Sequence, residues 1–68
     1  MICVVTARVW DTYDYCYNRD TQYKDITRKF PLQLQGKYLT KFDFGVLVLA
    51  EFDRYTIVEV TSIVEQET

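Results

Sequence analysis

The stretch ICVVTARVW, Ile2 to Trp10, decides how the rest of this 68-residue chain is arranged. Its odd-numbered positions are all apolar, whereas its even-numbered positions include a threonine and an arginine. The apolar set is Cys3, Val5, Ala7 and Val9. An alternation of period two is the side-chain period of a β-strand. The pattern therefore predicts a strand whose odd-numbered side chains face the core.

The next stretch, YDYCY at residues 13–17, repeats the same period and predicts an antiparallel hairpin with the first strand. A two-residue loop would place the tyrosines on the mixed face, and a three-residue loop would place Tyr15 and Tyr17 on the apolar face. A slip of one residue exchanges the two faces. Only the three-residue loop keeps Asp14 in water, and an unpaired buried carboxylate is very costly. We therefore expect Tyr15 and Tyr17 inside.

Residues 18–31, NRDTQYKDITRKFP, fit two structures. Their apolar residues fall at helical spacing, with Pro31 as a stop, but the same segment also suits an edge strand. QGK at 35–37 predicts a turn, and FDFG predicts a second bend in which Gly45 is free to adopt a positive φ.

The last third of the chain reads as two strands. GVLVLA at 45–50 is apolar on both faces and predicts the most enclosed strand, followed by a turn at Asp53-Arg54. The return strand YTIVEVTSIV places valines on one face and polar residues on the other. The valines are Val58, Val60 and Val64, opposite Glu59, Thr61 and Glu65. Residues 66–68 are expected to fray.

These elements predict a single domain over residues 1–68, all-β with at most one short helix. A chain of this length buries only about 60% of the surface that its unfolded form exposes, so it has room for one small core. A strongly bent antiparallel barrel, SH3-like or OB-like, would remove the exposed edges that a flat sheet of five or so short strands leaves.

Two stretches carry a resemblance to known proteins. YDYCY matches a hairpin whose second strand carries Tyr-x-Tyr, and FGVLVLAEFDRYTIVEV, Phe44 to Val60, matches a glycine-led apolar strand, a tight hairpin and a return strand of form V-x-V. In both, the chain resembles small phage-encoded β-barrel proteins and, more distantly, the N-terminal DNA-binding domain of primosomal helicases. The resemblance implies a small barrel and a setting in phage infection or nucleic-acid metabolism.

The composition contains no catalytic or metal signature. Histidine is absent, the single serine lies within a predicted strand, and two glycines cannot build a phosphate loop. Cys3 and Cys16 lack C-x-x-C spacing and are expected to be free, buried or half-buried thiols in a reducing compartment. We therefore predict no enzyme activity, no cofactor and no metal. MICVVTARVW lacks a basic leader and no apolar run spans a bilayer, so a cytoplasmic protein is expected, in the host cytoplasm if it is phage-encoded.

The functional prediction is a non-catalytic interaction module, a small phage or mobile-element protein that binds and modulates a host protein of nucleic-acid metabolism. Trp10 stands beside the first turn on the mixed face, where burial is least expected, and exposed Trp, Tyr and Arg anchor such interfaces. The proposed partner-binding residues are Arg8, Trp10, Tyr13, Arg28, Lys29, Lys37 and Lys41.

Three alternatives remain open from the sequence. Residues 19–41 hold six basic and two acidic residues, a balance of +4, and interleave with aromatics as in barrels that bind single-stranded nucleic acid. Residues 42–68 hold one basic and six acidic residues, a balance of −5, which suits a nucleic-acid mimic. A homodimer formed through an open strand edge is the third alternative.

Overall fold

A computed structural model describes residues 2–66. The elements in chain order are β1 (Ile2–Asp11), α1 (Thr12–Tyr17), β2 (Lys24–Pro31), β3 (Gln33–Leu34), β4 (Lys37–Tyr38), α2 (Lys41–Leu49) and β5 (Thr56–Gln66). Gln66, which was expected to fray, ends β5 and lies opposite Ile2. The fraying expected for residues 67 and 68, and the place of Glu67 among the six acidic residues, lie outside the described residues.

Strand β1 is the centre of a three-stranded antiparallel sheet of order β2-β1-β5. Val5 lies opposite Arg28 of β2 and opposite Ile63 of β5. The prediction of a small chain built mainly of antiparallel strands is confirmed. The sheet has two open edges, however, and does not close into a barrel, because the segments expected to supply further strands form helices.

The core lies between one face of this sheet and α2. Its buried members are three of the four predicted residues of β1, since Val9 is only half-buried, together with two residues of α2 and one of β5. They are Cys3, Val5, Ala7, Phe44, Val48 and Val60. Phe44 also stacks on Phe30 of β2, with ring centroids 5.8 Å apart. Each buried aromatic removes about 150–250 Å² from water, so this pair supplies a large part of the stabilisation of so small a core.

Helix α1 replaces the predicted second strand of the first hairpin. The Asp11 side chain accepts a hydrogen bond from the Asp14 backbone N–H at 2.7 Å, which makes Asp11 the N-cap. The helical turn separates the tyrosines that a strand would have kept on one face. Tyr15 is half-buried, but Tyr17 is exposed, so the prediction that Tyr17 is internal was wrong.

Helix α2 replaces the strand predicted for GVLVLA. Thr40 and Asp43 form a complete capping box, in which each side chain bonds the backbone N–H of the other residue. Gly45 lies inside the helix and faces Val60, where an added Cβ would stand 3.8 Å from a methyl carbon. The expected bend at Gly45 is therefore absent, and the apolar run lies on the sheet instead of within it.

The shorter segments of the chain agree in part with the sequence predictions. Residues 24–31 form the edge strand, which was one of the two structures open from the sequence. The turn at QGK is confirmed, with positive φ at Gln35 and Gly36. Strand β5 follows the predicted alternation through Val60, but a register shift opposite Thr6 and Ala7 then turns Val64 to the other face.

Candidate functional site

The Trp10 side chain is buried, although the sequence predicted that it is exposed. Only 3% of its surface is accessible, and its indole N–H donates to the Arg19 carbonyl oxygen at 2.8 Å. The ring meets Tyr15 edge to face at 5.3 Å and Tyr23 at 5.9 Å. Helix α1 and residues 18–23 fold over the end of β1, so the prediction that Trp10 is exposed was wrong. Its membership of the partner-binding set stays a prediction, which the burial of the ring does not favour.

Two arginines cover the outside of this aromatic group. The Arg8 guanidinium carbon lies 4.3 Å above the Tyr23 ring, and Arg8 also approaches Asp25 at 3.8 Å. Arg19 lies 4.0 Å above the Tyr15 ring. Each stacked arginine is held by a cation–π contact, worth about 0.5–1 kcal/mol at exposed sites. Arg8 is therefore exposed but held in place, which suits a surface that meets a partner without losing much side-chain freedom.

The same end of the molecule carries an exposed group that we call the aromatic end: Tyr13, Tyr17, Arg54 and Tyr55. Tyr13 and Tyr17 lie one helical turn apart on α1 and pack with centroids 4.8 Å apart, yet 66% and 74% of their surfaces are accessible. Arg54 stacks 4.9 Å from the Tyr55 ring and bonds its hydroxyl at 2.7 Å. The three exposed rings are thus ordered by contacts within the chain.

Backbone bonds bring the two segments of the aromatic end together. The backbone N–H of Thr12 donates to the Tyr55 carbonyl oxygen at 2.7 Å, and the Thr12 hydroxyl donates to the same oxygen. The Asp53 carboxylate in turn accepts from the Tyr55 N–H at 2.9 Å and from the Thr56 hydroxyl at 3.1 Å. A short helix and a tight turn are therefore joined where the exposed rings stand.

The predicted basic residues do not form one surface. Arg28 lies beside Val5 on the face covered by α2 and is paired with Glu51 at 2.9 Å. Lys29 lies beside Val4 on the opposite face, because successive strand residues alternate. Phe30, which was expected to take part in base stacking, turns its ring to Phe44 in the core. Lys37 and Lys41 lie apart from both, on β4 and at the start of α2.

The acidic residues are likewise dispersed and mostly engaged. Glu51 pairs with Arg28, and Asp43 belongs to the cap of α2. Bonds from the backbone N–H and hydroxyl of Thr40, at 2.9 and 3.0 Å, lower the pKa of Asp43, with a smaller contribution from Lys37. This carboxylate stabilises the helix, and the other acidic residues of the C-terminal half within residues 2–66, Glu51, Asp53, Glu59 and Glu65, lie outside α2.

A second feature, which we call the α2 groove, runs between α2 and β5. Its volume is about 580 Å³. The wall is formed by Phe42, Gly45, Val46 and Leu49 of α2 and by Val58 and Val60 of β5, with Lys41 and Glu59 at the rim. Phe42 is 78% exposed although it stands on a helix directly above the core. The sequence reading missed this groove because it assigned α2 as a strand.

Metal-ligand clusters, thiols and membrane-spanning helices were sought among the described residues. Across residues 2–66 no three His, Cys, Asp or Glu side chains are grouped to hold a metal ion. Cys3 and Cys16 are both free thiols, as expected, and Cys3 is buried; Cys16 is exposed, so the expectation that it is buried or half-buried was wrong. Neither helix in the described part of the chain is long and apolar enough to cross a bilayer.

A scan against protein-family models finds no match to this chain, and searches of curated proteins and of solved structures find none either.

Proposed function

We propose that this protein is a non-catalytic interaction module that binds another protein through its aromatic end. The observation that carries the proposal is the pair Tyr13 and Tyr17, whose rings are ordered against each other while about two thirds or more of each remains in water. Tyrosine and arginine are enriched among the residues that dominate protein interfaces. Tyrosine buries a large area at low entropy cost because it has only two χ angles, and arginine offers a planar group with five N–H donors.

The surroundings of the pair support a binding role. Helix α1 has only six residues and would not be stable alone, so its position depends on the Asp11 cap, the Thr12 bonds to Tyr55 and the packing of Tyr15 on Trp10. A partner therefore meets rings that are already placed and loses less entropy on binding. In this proposal Trp10, which was expected to contact the partner, instead supports the exposed residues that contact the partner.

The two alternatives involving nucleic acid receive less support from the geometry. Arg28 is engaged by Glu51 and Lys29 points away from it, so a continuous basic groove does not follow from these residues. The acidic residues are likewise spread over several elements. The setting in phage infection, with a host protein of nucleic-acid metabolism as the partner, stays a prediction of the resemblance.

The test combines capture and titration. The wild-type chain is used to capture partners from its native cell, and the purified partner is then titrated with wild type, with the double variant Tyr13→Ala/Tyr17→Ala and with Tyr38→Ala. Tyr38 is the matched control, because it is an exposed tyrosine on β4. We expect the double variant to weaken binding at least about tenfold and Tyr38→Ala to change it little.

Circular dichroism verifies that both variants are folded. Equal affinity of wild type and double variant for the partner would refute the role of the aromatic end. A parallel titration of labelled single-stranded DNA at two salt concentrations separates the alternative, because binding to phosphates weakens steeply with salt.

A further inference from the structure

Helix α2 is apolar around its whole circumference. Its only polar residues, Lys41 and Asp43, lie in the first turn. Phe44 and Val48 pack on the sheet, whereas Phe42, Val46 and Leu49 form a second stripe that is exposed. This stripe has the spacing i, i+4, i+7, which lines up side chains on one side of a helix. A helix that is apolar on every side is normally covered on every side, so α2 lacks a neighbour.

The exposed stripe faces the less protected of the two sheet edges. Strand β2 has four charged residues among eight and ends at a proline, features that discourage pairing with another strand. Strand β5 is longer, at 11 residues, and its only charged residues are Glu59 and Glu65. Long, apolar edge strands tend to pair with other strands. The α2 groove therefore joins an uncovered helix face to an unprotected strand edge.

The chain leaves more surface in water than a compact domain of its length. Its radius of gyration is 12.8 Å, whereas a compact domain of this length has roughly 11 Å. Its accessible surface is 5040 Å², whereas roughly 4,500 Å² is expected for its mass. The excess of roughly 500 Å² approaches the ~600 Å² that each side of a small specific interface buries.

We propose that the α2 groove is occupied by a second copy of this chain. The two β5 strands pair antiparallel along their free edges about a two-fold axis, which joins the two sheets into one of six strands. Both α2 helices then lie on the same face, with the stripes Phe42, Val46 and Leu49 packed against each other above the joined edges.

The wall of the groove can meet a copy of itself. Val58 and Val60 lie opposite Val9 and Ala7 on the sheet face that α2 covers, whereas Glu59 lies opposite Arg8 on the other face. A two-fold axis therefore brings together the apolar residues of the two α2 stripes and of the two β5 strands, and it leaves both Glu59 side chains on the far face of the joined sheet. A self-complementary patch of this kind is what an isologous interface requires.

The test is sedimentation equilibrium of the full chain from about 1 to 500 µM. Wild type is expected to shift from 8.1 kDa toward twice that mass. Val46→Glu places a charge in the centre of the stripe and should raise the dimer dissociation constant at least about tenfold. Leu34→Glu is the matched control, since Leu34 is 51% exposed against 49% for Val46 and lies on β3. It should dimerise like wild type.

Three results would overturn the proposal: a mass of one chain at every concentration, a folded Val46→Glu variant that dimerises like wild type, or a mass that continues to rise beyond two chains. If Val46→Glu proves unfolded by circular dichroism, Phe42→Glu replaces it, because most of that ring is already in water. The inference does not rest on the function proposed for the aromatic end, whose residues lie outside this interface.

Discussion

The sequence predicted Trp10 as an exposed binding residue, whereas the structure buries its side chain. Replacement of Trp10 by alanine tests that burial. Full burial of an aromatic side chain removes about 150–250 Å² from water, which at about 25 cal/mol per Å² is worth about 4–6 kcal/mol as an upper bound. The variant also leaves the Arg19 carbonyl oxygen without the indole N–H that it accepts at 2.8 Å. We expect Trp10→Ala to lower the free energy of unfolding by about 3–5 kcal/mol.

That loss is large for a chain of this size. At roughly 0.05–0.15 kcal/mol per residue, 68 residues have a total stability of roughly 3–10 kcal/mol. The variant should therefore unfold at much lower urea concentration, or be partly unfolded in buffer. Trp10→Phe keeps most of the packing against Tyr15 and Tyr23 and loses the hydrogen bond, so its loss should be smaller and measurable even if the alanine variant does not fold.

The assay is urea unfolding followed by far-ultraviolet circular dichroism, because Trp10 is the only tryptophan and its removal abolishes the fluorescence signal. Tyr13→Ala serves as the control, since its ring is exposed and its loss should cost less than about 1 kcal/mol. A Trp10→Ala variant as stable as that control would refute the buried arrangement. It would restore Trp10 as a candidate contact for a partner.

Two further predictions concern α2 and the thiols. Thr40→Ala removes the cap of α2 and should lower the free energy of unfolding by about 1 kcal/mol in the same urea assay, and an unchanged midpoint would contradict the capping box. The pKa of Asp43 is lowered in the folded state. The stability that this carboxylate contributes is therefore present above the ordinary carboxyl pKa of 3.8 and is lost as the pH falls through the folded pKa. Wild type should lose more stability over that pH range than Thr40→Ala does. A thiol reagent should modify one cysteine per chain quickly, Cys16, and reach buried Cys3 only in denaturant; two fast thiols would contradict the core.

The strands were the predictable part of the fold. Cys3, Val5 and Ala7 of β1 are buried as the alternation indicated, and the return strand predicted for residues 55–64 is found at residues 56–66. In both, polar and apolar residues alternate over a long enough stretch to define a period of two. The sequence could not predict which residues of β5 face the core beyond the register shift, because the position of that shift, opposite Thr6 and Ala7, depends on how β1 and β5 pair.

The helices were missed for an identifiable reason. A short apolar run such as GVLVLA has no period of its own, so its length and flanks must decide between strand and helix. The deciding signal was present in the residues before it, where TKFD places Thr40 and Asp43 at capping-box spacing. DTYD, with Asp11 and Asp14, carries a weaker version of the same signal ahead of α1. Because both helices were assigned as strands, a closed barrel was predicted, and that prediction was wrong.

The candidate site was predictable only in part. Arg8 and Tyr13 were named from the sequence and lie at or beside the aromatic end, whereas Tyr17 was expected in the core. The groove residues, such as Val46, were not named at all, because their exposure depends on α2 being a helix with one face left over. No local pattern in the sequence states which side of an apolar segment remains uncovered.

The sequence by itself determined that the chain is built around β1 and that Cys3, Val5 and Ala7 are internal, because a period of two over nine residues allows one arrangement of the strand faces. Only the tertiary structure decided the fate of Trp10. It stands on the mixed face and becomes buried because α1 and residues 18–23 return over it, so that Arg19 accepts its hydrogen bond and Tyr15 and Tyr23 enclose its ring. Burial of this kind depends on contacts between segments, and a local alternation carries no information about them.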